Sequence, residues 1–522
     1  MVREFQATWT VTKPAVRASG GMVAAQHAGA AEVGAEILRG GGNAVDAAIA
    51  TSLALGVLEP WMSGLGGGGF MVIARADGRT EVLDFAMVAP AALNPADYPL
   101  SGGQDSDLFG WPRVVDDRNV LGPLSIAVPG QAAGLGFAFE RHASLAWRDL
   151  CAPAIALAEQ GMPVTWHTSL QITGGAADLA RFEAAAGHFL PGGLPPVPDS
   201  AGGLAHLPTP ALAATLQRLA EAGPGDLVTG DLARLLVDDV RAAGGVLSQG
   251  DLASHRARAL EPLAIDHGSA RIRVPSGLTA GPTLAHALTL IGGKVDAGRP
   301  DPASYCAWAE ALFAAYAHRL AALGHAGEQA DGRRAASTTH LCVLDRDGTL
   351  VSLTQTLLSL FGSKILSPRT GILLNNGIMW FDPRPGGPNA IAPGKRPLSN
   401  MCPIIATRRG RPWLALGGSG GRRIMPAVLQ IASMLIDGGL DLETAFHMPR
   451  IDVSGGQTMV ADKRLAPEIL RALEARFAVQ RLESMVSPKL FACPTAILRE
   501  PGTGEAYGMT DPMHPVAGAV AA

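Results

Sequence analysis

The stretch Ser337-Thr338-Thr339-His340-Leu341-Cys342-Val343-Leu344-Asp345-Arg346-Asp347-Gly348-Thr349-Leu350-Val351-Ser352-Leu353-Thr354-Gln355-Thr356 decides how the rest of the chain is read. Its residues alternate with a period of two, which puts Thr339, Leu341 and Val343 on one face and Thr338, His340, Cys342 and Leu344 on the other. Asp345-Arg346-Asp347-Gly348 is a turn and the run from Leu350 to Thr356 returns, so the segment reads as a β-hairpin. A loop of two, three or four residues sets Thr338 opposite residue 357, 356 or 355. Thr356 is therefore expected to be a cross-strand neighbour of Thr338.

Just upstream the sequence is polar and small from His325 to Ser337, the composition of a loop or linker. A threonine that opens a strand directly behind an exposed linker looks like the processing site of an N-terminal-nucleophile hydrolase. Its hydroxyl is a weak nucleophile until a base takes the proton. The α-amino group of a newly exposed N-terminal threonine, with a reference pKa near 8, does this within one residue. The same hydroxyl can attack the carbonyl that precedes it, so one group accounts for self-cleavage after Ser337 and for later amide hydrolysis. His340 is then a hairpin side chain rather than the base.

Downstream, Gly417-Gly418-Ser419-Gly420-Gly421 precedes a helical run from Ile424 to Ile431, which places glycine N–H groups at a helix start where they can stabilise an oxyanion. Arg422 and Arg423 follow, placed either on a solvated helix start or against an acidic acyl group. Upstream, Val33, Ile37 and Leu38 share a helical face before Gly40-Gly41-Gly42, and Asn43 caps a second helix through Leu53. Gly64-Leu65-Gly66-Gly67-Gly68-Gly69 matches the letters of a dinucleotide-binding turn, but a helix precedes it and a β-like run follows, the reverse of that motif. It reads as a tight turn between packed layers. Residues 145–325 read as a helical layer of Ala/Leu-rich segments joined by Pro/Gly loops.

Across all 522 residues, 42 Lys and Arg against 46 Asp and Glu leave a net charge of −4, which disfavours a nucleic-acid partner. The five cysteines are dispersed and form no C-x-x-C pair, which argues against structural zinc and a disulfide framework. Cys342 and Cys402 are expected to be buried, inert thiols. The first residues carry an acid and polar groups where a secretory signal needs an apolar core, and Pro, His and Gly interrupt every charge-free window. A cytoplasmic protein with no membrane partner is expected.

The segments 23–48 and 64–69, Thr338-Thr339-His340, Leu373-Leu374-Asn375-Asn376, Gly394-Lys395-Arg396-Pro397-Leu398-Ser399 and Gly420-Gly421 stand in the order of the γ-glutamyltransferase family, and the chain resembles that family from about residue 20 to Pro512. The resemblance implies an α+β fold, the four-layer αββα sandwich of the N-terminal-nucleophile hydrolases. It implies a proenzyme cut between Ser337 and Thr338 into a large subunit, 1–337, with helical layers and part of the central sheets, and a small subunit, 338–522. The two intertwine into one unit and leave open a dimer of that unit. No cofactor and no metal are implied. By position Thr338 resembles the nucleophile, Thr356 the second threonine that supports it, Ser399 and Asn400 a substrate-binding serine pair, and Gly420 and Gly421 the oxyanion hole.

Four positions depart from the family. The donor's α-carboxylate is held there by an arginine, because a buried carboxylate needs a charge-assisted partner; here that position is Ala86. The asparagine beyond the second threonine is Leu358, and the acidic receptor of the α-ammonium is Trp380. One serine of the pair is Asn400. A zwitterionic amino-acid head would meet no matched charge, at a cost of at least several kcal/mol for each buried charge. The segment 385–393 is also too short for the lid that covers the site in many members, which implies an open pocket favouring water as acceptor. The expected function is a self-processing threonine amidohydrolase acting on a small-molecule amide, of cephalosporin-acylase-like or amidohydrolase character. The alternatives are a true γ-glutamyltransferase or glutathione hydrolase with a rearranged donor site, and an inactive member kept as a binding protein.

Overall fold

The structure is a computed structural model that describes residues 10–104, 109–198, 203–296, 298–323 and 336–522. Most of the 325–337 linker therefore lies outside the described residues.

Two seven-stranded sheets form the centre. In one the strands lie in the order Gly518–Ala521, Met22–Ala25, Ala336–Leu344, Leu350–Ser359, Gly68–Ala74, Thr80–Phe85 and Arg258–Leu260. The order in the other is Val16–Ala18, Ala506–Thr510, Cys493–Arg499, Arg411–Ser419, Ile404–Arg408, Ala270–Val274 and Leu263–His267. All neighbours within these two sheets are antiparallel. Each sheet combines strands from both sides of the Ser337-Thr338 bond, and Ala336–Leu344 runs through it.

Strand alternation builds the layers. In the first sheet Val23, Ala25, Met71, Ile73, Leu341, Val343, Val351 and Leu353 share a core with the helices Ala28–Arg39, Ala44–Leu58 and Trp147–Gln160. The intervening Met22, Ala24, Phe70, Val72, Cys342, Leu344 and Leu350 meet Ile405, Ala415 and Ile497 of the second sheet. On the far side of that sheet, Ile404, Ala406, Leu414, Leu416 and Leu498 pack with the helices Gly281–Ile291, Pro302–His318 and Ile424–Ile436. The result is the expected αββα sandwich.

The helical hairpin forms as read. Asn43 caps the helix Ala44–Leu58 by accepting from the N–H groups of Val45 and Asp46, while the Asp46 carboxylate accepts from the Asn43 N–H. The 145–325 reading needs correction, since that span also contributes the strands Arg258–Leu260, Leu263–His267 and Ala270–Val274. Their alternation was visible: Ile265, Ile272 and Val274 point inward while Asp266 and Arg271 pair in solvent. Gly268, at φ +52, makes the turn between two of them.

Candidate active site

The hairpin closes through Asp345 N–H donating to the Thr349 carbonyl at 3.1 Å around Arg346, Asp347 and Gly348, with Gly348 at φ +93. This is the three-residue loop with a left-handed third position. Thr339 then pairs with Gln355, and Ser337 with Leu358, so the register slips by one residue around Thr338 and the returning strand bulges at 356–357. Leu358 adopts φ +87, a costly conformation for a leucine. Its N–H donates to Thr356 Oγ1 at 2.8 Å, and Thr356 Oγ1 lies 3.0 Å from Thr338 Oγ1. The two threonines that the three-residue loop sets opposite each other are thus in hydrogen-bond contact beside the bulge.

The glycine run explains how the returning strand is fixed. Gly68 and Gly69 pair with Thr356 and Gln355. A Cβ on Gly67 would lie 2.3 Å from the Thr356 carbonyl oxygen, and one on Gly69 2.4 Å from that of Thr354. Close backbone approach, more than turn geometry, requires these glycines. Asn376 braces the strand end, donating from Nδ2 to Ser359 Oγ at 2.7 Å and accepting from Ser359 N–H at 3.1 Å.

Facing the strand Ala336–Leu344, Arg411–Ser419 ends in Gly420 at φ +132 and Gly421 at φ +61, which lead through the turn Gly421–Arg423 into the helix Ile424–Ile436. That turn packs against the strand Ala336–Leu344. A Cβ on Gly417 would lie 2.3 Å from His340 Cε1, so glycine also sets this approach. The His340 imidazole is fully buried, its Nδ1 is 2.8 Å from Thr354 Oγ1, and burial pushes its pKa down to about 3. It is neutral at physiological pH. Cys342 and Cys402 are buried, and burial raises both thiols, Cys402 to about 12.

The Ser399-Asn400 turn is held by a residue that the sequence did not single out. Arg319 is buried and donates to the Thr279 carbonyl at 2.7 Å, the Ser399 carbonyl at 2.7 Å and Asn400 Oδ1 at 3.0 Å. Ser399 Oγ accepts from Met401 N–H at 3.2 Å. Among the described residues no hydrogen bond joins Ser399 or Asn400 to Thr338. Ala86, Leu358 and Trp380 meet in one buried apolar cluster with Phe109, Trp111 and Met401. The Ala86 carbonyl accepts from Arg396 Nη1 at 3.2 Å, and that guanidinium also pairs with Asp84. The segment 385–393 folds back, with Asn389 Nδ2 donating to the Trp380 carbonyl at 2.7 Å. With the chain continuous through Ser337, Thr338 is only 4% exposed.

The family model for gamma-glutamyltranspeptidase matches residues 30–330 and 323–521. The chain belongs to the γ-glutamyltranspeptidase family. It is 37% identical to an acylase ACY 1 proenzyme of Pseudomonas sp. strain V22, over 90% of this chain and 89% of that one. It is 31% identical to a glutathione hydrolase proenzyme of Escherichia coli, over 95% of this chain and 91% of that one. Its fold matches a cephalosporin acylase of Bacillus halodurans with a TM-score of 0.84 and 25% identity, covering 100% of this chain and 99% of the other. The γ-glutamyltranspeptidase-family chain is therefore an enzyme of the N-terminal-nucleophile class, which hydrolyses or transfers across amides.

Proposed function

We propose that this family member is a self-processing threonine amidohydrolase whose acyl substrates lack an α-amino-acid head. The observation that carries the reading is the combination of the Thr338 and Thr356 hydroxyls at 3.0 Å with an apolar cluster where the γ-glutamyl head would need charges, at Ala86, Leu358 and Trp380.

In this reading Thr338 Oγ1 first attacks the Ser337 carbonyl carbon, the peptide C–N bond breaks, and water opens the resulting ester to leave chains of 337 and 185 residues. The freed Thr338 amine then takes the hydroxyl proton as Oγ1 attacks an amide. The Gly420 and Gly421 N–H groups receive the oxyanion, and Thr356 holds the nucleophile's hydroxyl in position. Collapse expels the amine, which takes the proton from the Thr338 ammonium. Water, deprotonated by the same amine, releases the acid. All five cysteines are free, which supports the cytoplasmic location that goes with this reading.

The test is a side-by-side assay of the matured protein on a γ-glutamyl anilide and on anilides of simple and ω-carboxylated acids. The simple or carboxylated acyl groups should be released and the γ-glutamyl group poorly. Preferred γ-glutamyl turnover that rises with a dipeptide acceptor would assign the enzyme to the glutathione hydrolases and transferases instead.

A further inference from the structure

An apolar cleft of about 350 Å³ lies between the end of the helix Ala44–Leu58, the helix Glu183–Phe189, the start of the helix Pro210–Ala222 and the segment 366–373. Gly187, Pro210 and Pro368 are exposed at its mouth, and Val57, Ile372 and Leu373 are buried in its wall. Past Gly64 and Leu65, which line both, it continues into a smaller space of about 20 Å³ that reaches Ser52 and Gln131.

The hydroxyls along the cleft are engaged within the protein. Ser63 Oγ accepts from Gln355 Nε2 at 2.8 Å, Thr209 Oγ1 donates to the Ala158 carbonyl at 2.7 Å, and Ser367 Oγ donates to Asp239. The inner end differs. Gln131 is only 2% exposed and donates from Nε2 to Ser52 Oγ at 2.9 Å and to Gln355 Oε1 at 2.6 Å, yet its Oε1 has no donor among the described residues. A buried amide oxygen without a donor is costly. A single water would satisfy it and leave the apolar cleft beside it unfilled. Among the described residues no Asp, Glu, Lys or Arg lines either space, and burial lowers the pKa of His188, which favours its neutral form. The lining therefore suits a neutral molecule with an apolar body and one terminal donor. At about 30 Å³ for each non-hydrogen atom, the cleft holds roughly a dozen of them.

This space is separate from the catalytic one. Gln355 shares the helix-facing side of its strand with Val351 and Leu353, whereas Thr356 turns to Thr338 on the other face. None of Thr338, Thr356, Ser399, Asn400, Gly420 or Gly421 lines it.

We propose that the cleft is a second binding site, which takes a small neutral alcohol with its apolar body between the helices and its hydroxyl donating to Gln131 Oε1. The site goes beyond the amidohydrolase reading and does not depend on it.

The experiment titrates phenylbutanol, its methyl ether and phenylbutyrate calorimetrically into the purified wild type, Gln131→Leu and Gly187→Trp. Wild type should bind the alcohol saturably and roughly 10-fold more tightly than the ether, as expected for one hydrogen bond to an otherwise unpaired buried acceptor. Phenylbutyrate should not bind there, because its carboxylate would enter a space without a cation. In Gln131→Leu the alcohol and the ether should bind to within about 2-fold of each other. A Cβ on Gly187 meets nothing within 4 Å, so an indole there fills the mouth without displacing backbone. Gly187→Trp should abolish binding of both while self-cleavage and amide turnover continue, and it serves if Gln131→Leu does not fold. No saturable binding of the alcohol, equal affinity for the ether, or a preference that survives Gln131→Leu overturns the site. Binding that survives Gly187→Trp overturns it as well, and competition with an amide substrate in that variant would place the alcohol at the nucleophile instead.

Discussion

Thr338 Oγ1 and Thr356 Oγ1 lie 3.0 Å apart where the strand Leu350–Ser359 bulges by one residue opposite Thr338, with Leu358 held at φ +87. A regular ladder from the Thr339–Gln355 pair would already set Thr338 opposite Thr356. Here local strain turns the Leu358 N–H onto Thr356 Oγ1 and fixes the hydroxyl that meets Thr338.

The first consequence concerns processing. Thr338→Ala should leave one intact chain of 522 residues on a denaturing gel, whereas the native protein should run as fragments of 337 and 185 residues. Thr338→Ser should cut, more slowly. A Thr338→Ala chain that still matures would remove the threonine mechanism.

Thr356→Ala deletes the partner hydroxyl and should slow self-cleavage and turnover by about 10²-fold, the usual scale for one positioned polar group at a reacting atom. Thr356→Ser keeps the hydroxyl and should recover most of both rates. Equal rates in both variants, measured by quantifying uncut chain over time, would reduce Thr356 to a packing residue.

Gly67→Ala places a Cβ 2.3 Å from the Thr356 carbonyl. Backbone, not a flexible side chain, stands in the way, so the strand must shift. A loss of about 1–3 kcal/mol in chemical denaturation is expected, with slower maturation. Gly386→Ala is the control for loss of a glycine away from this contact, because a Cβ there meets nothing within 4 Å, although its φ of +86 brings a small strain of its own.

The pH dependence of activity should follow the Thr338 amine. With its reference pKa near 8, kcat/KM should rise with the loss of one proton between about pH 6 and 9. His340, pushed down to about 3 by burial, adds no second limb in that range. A rising limb centred near 6.5 would point to a histidine instead.

Stability should carry a different signature. Glu59 is fully buried, neither of its carboxyl oxygens has a hydrogen-bond partner among the described residues, and burial raises its pKa from 4.5 to about 8. The folded state holds the proton more tightly than the unfolded chain, so this contribution is complete below pH 4.5 and is lost as the pH rises to about 8. Glu59→Gln should therefore gain on the native protein across that window, by about 4 kcal/mol at the alkaline end. Parallel unfolding midpoints from pH 5 to 8 would sink this assignment.

The hairpin, the Asn43 cap and the glycines before the helix Ile424–Ile436 were legible because each depends on neighbours a few residues away: a period of two, a cap three residues long, a turn that needs a left-handed position. Alternation also divided the faces of Ala336–Leu344 correctly, with Leu341 and Val343 toward the helices and Cys342 and Leu344 toward the other sheet. The strands Leu263–His267 and Ala270–Val274 carried the same signal and were hidden by the helices around them.

The sequence by itself thus determined the hairpin and the helical pair before it, which threonine stands near the start of the strand Ala336–Leu344, and that positions 86 and 380 carry no charge. Tertiary structure alone decided what stands opposite each face. It gathered Ala86, Phe109, Leu358 and Trp380 into one cluster, placed Arg319 under the Ser399-Asn400 turn, and laid Arg422 on Phe109 and Trp111. The physical reason is that periodicity fixes a side chain's direction relative to its own backbone, whereas its partners depend on a strand order that joins elements hundreds of residues apart.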